Sequence, residues 1–338
     1  MSEETQMGTK IPQIDPVTSE ITLADRWIHI MARWGINRLG HRIKPGLYTI
    51  GLPKANSEVF VTANYSLSFD ALRKALKGID GYILVLDTKG INVWCAAGKG
   101  TFGTDELVNR IEATALHEVV SHRRLILPQL GAPGVAAHEV KKRCGFNVKY
   151  GPVKAVDLPE YLKTKEATLE MRKVKFPLKD RIILIPVEVV GFLIPMLVAT
   201  ILFYFLSGPI LALSILSSIL AATILFPILL PWLPTHNFST KGLVLGSIIS
   251  LPFFLMSITG NTDEQLLPRL AMALPYMLIL PPITAFISLN FTGATTFTSR
   301  SGVKLEIFTY IPVMAWMFGG GIVLSLIFNV FNLFGGSL

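Results

Sequence analysis

The chain has 338 residues, 51% of them hydrophobic and 16% charged, where an average globular domain carries about 25% charged residues. The net charge is +8 and there are two cysteines, Cys95 and Cys144. These figures exclude a single water-soluble globule, a disulfide framework, an internal iron–sulfur cluster and a four-cysteine zinc site.

The shortage of charge is concentrated in the second half. No Asp, Glu, Lys or Arg occurs from Val189 to Thr240, and none follows Glu306. The composition shift near Arg181 therefore predicts two parts: residues 22–165 as an α/β domain, 166–181 as a basic linker, and 182–334 as an all-α membrane domain. Residues 1–21 read as a flexible extension. They lack a basic–apolar–cleavage pattern, so the first half is expected in the cytoplasm.

Ala24–Leu39 is an amphipathic helix candidate with Trp27, Ile30, Met31 and Trp34 on one face and Arg26 and Arg33 off it. Such a helix suits a membrane surface, but packing of its tryptophans on its own domain is the expectation. Leu47–Gly51 and Glu58–Ala63 read as strands. Ser66–Lys77 reads as a helix capped by Ser66 or Ser68. Tyr82–Asp87 and Ile91–Trp94 read as strands joined by the turn Asp87-Thr88-Lys89-Gly90. Thr104–Val120 reads as a helix capped by Thr104, with Asp105 and Glu106 in its first turn. Leu125–Leu127 is strand, Gly134–Arg143 helix and Val148–Tyr150 strand. The alternation predicts an α/β core.

Five apolar stretches are long enough to span a bilayer: Ile182–Leu206, Pro209–Trp232, Gly242–Gly260, Leu267–Phe291 and Ile307–Phe331. Lys241, Arg300 and Lys304 fall in loops on one side; Arg269, Asp263 and Glu264 fall on the other. With Lys173, Lys175, Lys179 and Arg181 before the first stretch, the bias predicts a multi-pass inner-membrane protein, N-terminus inside and C-terminus outside. Gly319–Gly321 suits close helix contact. Glu188, six residues into the first stretch, is a functional candidate or an interfacial carboxylate. Membrane lipid accounts for much of the positive charge; no nucleic-acid motif is present.

The chemically informative segment is Asn92-Val93-Trp94-Cys95-Ala96-Ala97-Gly98-Lys99-Gly100-Thr101-Phe102-Gly103. Small residues follow the cysteine directly, so a bulky group can approach the backbone. A helix N-terminus and Lys99 lie nearby, a setting in which cysteines serve as nucleophiles or metal ligands. Cys144, on an amphipathic helix, reads as a small buried hydrophobe. Gly98 to Gly103 also matches G-x-G-x-x-G, but the apparent hairpin before it and Pro128-Gln129 after the next strand argue against a dinucleotide site.

Asn92–Lys99 resembles the signature of the mercury-methylation corrinoid protein (HgcA) family, relatives of the corrinoid iron–sulfur protein large subunit. Gly46–Tyr48, Val61–Tyr65, Leu84–Gly90 and Leu127–Glu139 agree, as do the spans that follow. The resemblance implies a Rossmann-like corrinoid-binding domain and a corrinoid-dependent methyltransferase acting on Hg(II). It implies Cys95 as catalytic residue and lower axial ligand of a base-off cobalt. Thr62, Asn64, Asn92, Trp94, Ala96, Ala97, Gly98, Lys99, Gly100, Thr101, Gln129, Gly131 and Gly134 are implied as cofactor contacts. No histidine offers the alternative Asp-x-His-x-x-Gly motif. A strong anionic thiolate donor suits release of a methyl carbanion to soft Hg(II). The implied partners are a ferredoxin-like protein with two [4Fe-4S] clusters, as reductant, and a methylated-folate donor system. Two other readings stand beside this one: a corrinoid methyl carrier for another acceptor, and a non-enzymatic corrinoid- or nucleotide-binding membrane sensor.

Overall fold

A computed structural model describes residues 14–260, 266–295, 298 and 300–333. Residues 1–13 of the expected extension, Asp263, Glu264 and the last residue of the expected membrane domain, Phe334, lie outside these. Two compact units divide between Val174 and Lys175, slightly before the composition shift, with Arg33–Gly35 grouped with the second.

The first unit contains β1 (Ile14–Val17), α1 (Leu23–Arg33), β2 (Gly46–Ile50), β3 (Val59–Ala63), α2 (Ser66–Ala75), β4 (Gly81–Leu86), α3 (Val93–Lys99), α4 (Thr104–Ala113) and the single turn α5 (Leu116–Val119). Then follow β5 (Arg124–Leu127), α6 (Ala137–Cys144), β6 (Asn147–Tyr150), α7 (Leu158–Thr164) and α8 (Leu169–Arg172). The strands form one sheet in the order β1-β2-β4-β3-β5-β6. Strands β4, β3, β5 and β6 are mutually parallel, and β2 runs antiparallel to β4. The central strands are buried along their whole length, which is why they read as unbroken apolar runs.

Alternation sends side chains to two cores. Val59, Val61, Ala63, Leu84 and Leu86 pack with α3, α4 and α6. Phe60, Ile83 and Val85 pack with α2 and α7. The carboxyl ends of the four parallel strands share one edge, where open α/β sheets bind ligands.

Several local expectations are corrected. Ile14–Val17, within the expected extension, forms an edge strand against β2. Residues 166–181 are not a plain linker: they hold α8 and most of α9 (Leu178–Ile182). Helix α2 begins after Tyr65 with no side-chain cap. Ser66 is buried, and its hydroxyl has no partner. The helix expected over 104–120 breaks at Ala115, whose φ of 44° is left-handed. Thr104 is not its cap. Gly103 is, and the Thr104 hydroxyl instead accepts the Ala136 N–H at 2.9 Å.

Among its described residues, the second unit has four helices long and apolar enough to cross a membrane. Helix α9, α10 (Ile185–Leu220), a π-helical turn over Ala221–Leu225 and α11 (Phe226–Leu229) form the first, a run of 52 residues. It is not straight. Gly208 has φ 84° and ψ −176°, outside helical geometry. The Arg181 guanidinium donates to the carbonyls of Pro227 at 2.8 Å and Ile228 at 2.7 Å, across 46 and 47 residues. A straight helix would separate those groups by about 70 Å. The run therefore folds back at Gly208 into two antiparallel legs. Glu188 is half-buried in the first turn of α10.

Helices α12 (Phe238–Thr259), α13 (Leu266–Asn290) and α14 (Arg300–Leu333) complete the unit. Gly242 and Gly246 let α12 approach α13. A Cβ there would lie 2.5 Å from the Ala285 Cα and 2.6 Å from the Pro281 Cα. Of the three consecutive glycines, only Gly321 is in a close contact, against Leu278 and Ile279; Gly319 and Gly320 face open space.

Two cations expected in solvated positions are buried. Lys241 donates to the carbonyls of Leu230 at 2.9 Å and Leu233 at 2.7 Å. With Arg181 it satisfies orphan carbonyls where the second leg ends. Glu306 accepts the Phe238 and Ser239 N–H groups at 3.3 and 3.0 Å, capping α12. Arg181, Lys241 and Glu306 thus close one end of the bundle.

Candidate functional site at Cys95

The loop after β4 does not turn back as a hairpin arm. It runs through Asp87–Ile91 into α3. Asn92 is the N-cap: its side-chain oxygen accepts the Cys95 N–H at 2.9 Å. That hydrogen bond places Cys95 in the first helical turn, three residues after the cap. Cys95 is a free, half-exposed thiol. Val93, Ala96 and Ala97 face the core, while Gly98, Lys99 and Gly100 are exposed. Gly100, at φ 84°, ends the helix. The G-x-G-x-x-G match therefore runs from the last turn of α3 to the N-cap of α4. It follows a helix rather than a strand, so the case against a dinucleotide loop stands for a different reason.

Asn64 organises the approach to α3. It is buried. Its amide donates to Asp87 Oδ1 at 3.0 Å, and its oxygen accepts the Thr88 N–H at 3.1 Å, the Thr88 hydroxyl at 2.8 Å and the Gly90 N–H at 3.0 Å. Asn64 is committed to holding the 87–90 loop. Asp87 is held further by its own N–H, which donates to Glu106.

Gly131 and Gly134 also serve packing. A Cβ on Gly131 would lie 2.6 Å from the Phe102 ring, and one on Gly134 would collide with the Phe102 carbonyl and lie 3.0 Å from the Ala97 Cα. Phe102, fully buried, is the wedge that joins α3 to the Gln129–Gly131 turn. It was not among the expected contacts, and its place between two glycine-bearing segments was the available signal. Gln129 accepts from Arg172 at 3.0 Å. Thr62 is not brought to Cys95: it lies on the same sheet face as Phe60, the α2 and α7 face, while α3 packs on the other. Thr101, six residues after Cys95, has a buried hydroxyl with no partner.

Gly134→Ala should therefore destabilise this unit by about 3 kcal/mol, the upper end for overpacking. Gly98→Ala, where a Cβ meets nothing within 4 Å, should be neutral or stabilising by up to about 1 kcal/mol. Chemical denaturation of the two variants separates a packing glycine from a surface one.

Residues 37–162 match the family described as CdhD, the CO dehydrogenase/acetyl-CoA synthase delta subunit. The acetyl-CoA decarbonylase/synthase complex subunit gamma of Methanopyrus kandleri is 34% identical over 133 residues, 39% of this chain and 28% of that protein. The corresponding gamma subunit of Archaeoglobus fulgidus is 33% identical over 114 residues, 33% of this chain and 24% of that one. The α/β unit is a relative of the corrinoid iron–sulfur protein large-subunit family. The corrinoid/iron–sulfur protein large subunit of Moorella thermoacetica is 28% identical over 129 residues, 38% of this chain and 28% of that protein. The match thus spans about a quarter of the length of these relatives. The family-model match, over residues 37–162, includes the whole of Asn92–Gly103 and the Asn64 loop.

Proposed function

We propose that this chain is a corrinoid-dependent methyltransferase that passes a methyl group to Hg(II), with Cys95 as the lower cobalt ligand. The observation that carries the reading is the half-exposed Cys95 thiol, set by the Asn92 cap beside an open glycine surface in a unit related to corrinoid proteins. The residues fit a corrinoid. Among the described residues, no three His, Cys, Asp or Glu converge on a point that could hold a metal ion. A metal at Cys95 must therefore bring most of its ligands with it, as a corrinoid ring does. Gly98 and Gly100 leave room over α3, and the Thr101 hydroxyl offers an unmet hydrogen bond.

When bound, the corrinoid supplies a cobalt centre that takes up, carries and releases a methyl group. Cys95 would hold that centre through its sulfur. Asn92 fixes the cysteine backbone, and Asn64 fixes the loop that leads to it. Two cysteines cannot bind a four-iron cluster within this chain, so reduction falls to a ferredoxin-like partner and methyl supply to a methylated-folate system.

The likeness to an acetyl-CoA decarbonylase/synthase subunit and to a corrinoid/iron–sulfur protein favours a second reading, a methyl carrier for another acceptor. The experiment is to load the full chain with a methylated corrinoid, add Hg(II) and measure methylmercury. Methylmercury formation supports the first reading. Corrinoid release of methyl to another acceptor but not to mercury leaves the second. A chain that binds no corrinoid rules out both.

The second unit is assigned to the membrane, with the Arg181–Lys241–Glu306 end facing the cytoplasm. With each leg of the Gly208 fold-back crossing once, the chain would cross five times. Reporters at Met1 and after Leu338 should therefore report opposite sides, the first cytoplasmic. Both on one side would mean that the two legs before and after Gly208 do not each cross.

A further inference from the structure

Helix α1 is amphipathic in the reverse of the usual sense. A surface helix normally turns its apolar stripe to the core. Here the core-facing side carries Asp25, His29 and Ala32. Buried Arg73 on α2 is the hub: its guanidinium donates to Asp25 at 2.7 Å, to Asp70 at 2.6 Å and to the carbonyl of Thr18 at 2.9 Å. His29 meets the other oxygen of Asp70 at 2.6 Å. Thr22 caps the helix through Asp25, at 2.8 Å from both its N–H and its hydroxyl. Burial opposes ionisation of the Asp25 carboxyl, but the bonds from Thr22 and Arg73 hold it below the usual carboxylate range.

The apolar stripe points outward. Leu23 is 82% exposed, Trp27 63%, Ile30 47% and Trp34 49%. Leu23, Trp27 and Ile30, spaced four and three apart, lie along one line of the helix, and Trp34 follows just beyond its end. Arg26 and Arg33 flank the stripe, and exposed Ile36, Arg38 and Leu39 continue it. The expectation that the tryptophans pack on their own domain is thus overturned. The polar network holds the helix rigidly in the orientation that leaves them uncovered.

The geometry points to α1 as an in-plane membrane anchor, which lays Leu23, Trp27, Ile30 and Trp34 into the interface of an anionic bilayer. Three observations select lipid as the occupant. Tryptophan and arginine together are the side chains that favour the headgroup level. The flanking arginines match anionic headgroups in charge. The same chain carries helices long and apolar enough to cross a membrane, which keeps a bilayer at high local concentration. The proposal rests on the membrane assignment of the second unit and not on the corrinoid reading.

The test uses the full chain in lipid nanodiscs. Native protein is compared with the W27F/W34F variant, both positions being exposed, so that the difference spectrum belongs to these two tryptophans. In discs of anionic lipid brominated near the headgroup end of the chains, the difference emission should drop about twofold relative to unbrominated discs, as expected for a face buried about 5–10 Å into the interface. R26E/R33E, which reverses the flanking charge, should weaken that quenching. Equal difference emission in brominated and plain discs overturns the proposal, whether the face then meets water, a partner protein or a second copy. A chain that fails to enter discs overturns the membrane assignment, and this proposal with it.

Discussion

Cys95→Ala is expected to lower methyl transfer to Hg(II) by more than about 100-fold, since even groups standing behind a metal ligand are worth about 10–100-fold. The fold should survive. Cys95 is only half-buried, its backbone N–H still reaches the Asn92 cap, and alanine is a good helix former. Cys95→Ser tests donor chemistry at nearly constant size: a hydroxyl is a poor substitute for a soft, anionic sulfur. It should lose the cofactor's native absorption spectrum and most of the rate. Cys95→His should retain a ligand but not a negative one, and so bind corrinoid with an altered spectrum and transfer poorly. Cys144 supplies the control. It sits at the end of α6 with its thiol on the Val140 carbonyl at 3.2 Å, and Cys144→Ala should stay within about twofold of the native rate because that thiol is turned to its own helix. A Cys95→Ala protein with native spectrum and native rate would remove Cys95 from the mechanism.

Asn64→Leu should be the most damaging change to the α/β unit away from the cysteine, costing about 3–5 kcal/mol in unfolding free energy. The side chain is similar in size, so no large cavity forms. What is lost is one donated and three accepted hydrogen bonds in a buried place. The losses are unequal. The Thr88 N–H also reaches the Leu86 carbonyl, and the single Thr88 hydroxyl proton can turn to the Ile91 carbonyl at 2.7 Å. The buried Gly90 N–H is left without an acceptor. The 87–90 loop should then loosen, and with it the entry to α3. Corrinoid binding should weaken in parallel with stability, read by denaturant titration beside the absorbance of the bound cofactor. Asn64→Asp keeps the acceptors but turns a carboxylate toward Asp87, so its recovery should be partial. Unchanged stability in Asn64→Leu would show that the loop is held by something other than this amide.

Strands β2 to β6 were legible from residue pattern, while β1 was missed and Ile91–Trp94 was read as one strand too many. Val59–Ala63 and Gly81–Leu86 are apolar throughout because both sheet faces are covered, and such runs need little context to be read as buried strands. The apolar stretches of the second half were equally plain, because length and lack of charge alone set that property. Cys95 stood out by composition, as a cysteine followed by small residues and glycines. Its local structure did not. Ile91–Trp94 has the residue types of a strand, and a run so short has no period that separates strand from helix. The Asn92 cap decided it, and a cap acts only once the chain has turned to present an N–H to it. The separate role of Asn64 was hidden for the same reason, since its partners lie 23 to 26 residues away. Gly208-Pro209 marked a break, but only the Arg181 bonds to Pro227 and Ile228 show that the helix reverses there. The outward stripe of α1 was the least legible feature. Periodicity identifies an amphipathic face but not the side on which the rest of the molecule lies; that was decided by Arg73, whose guanidinium gathers Asp25 and Asp70 beneath the helix and leaves its tryptophans outside.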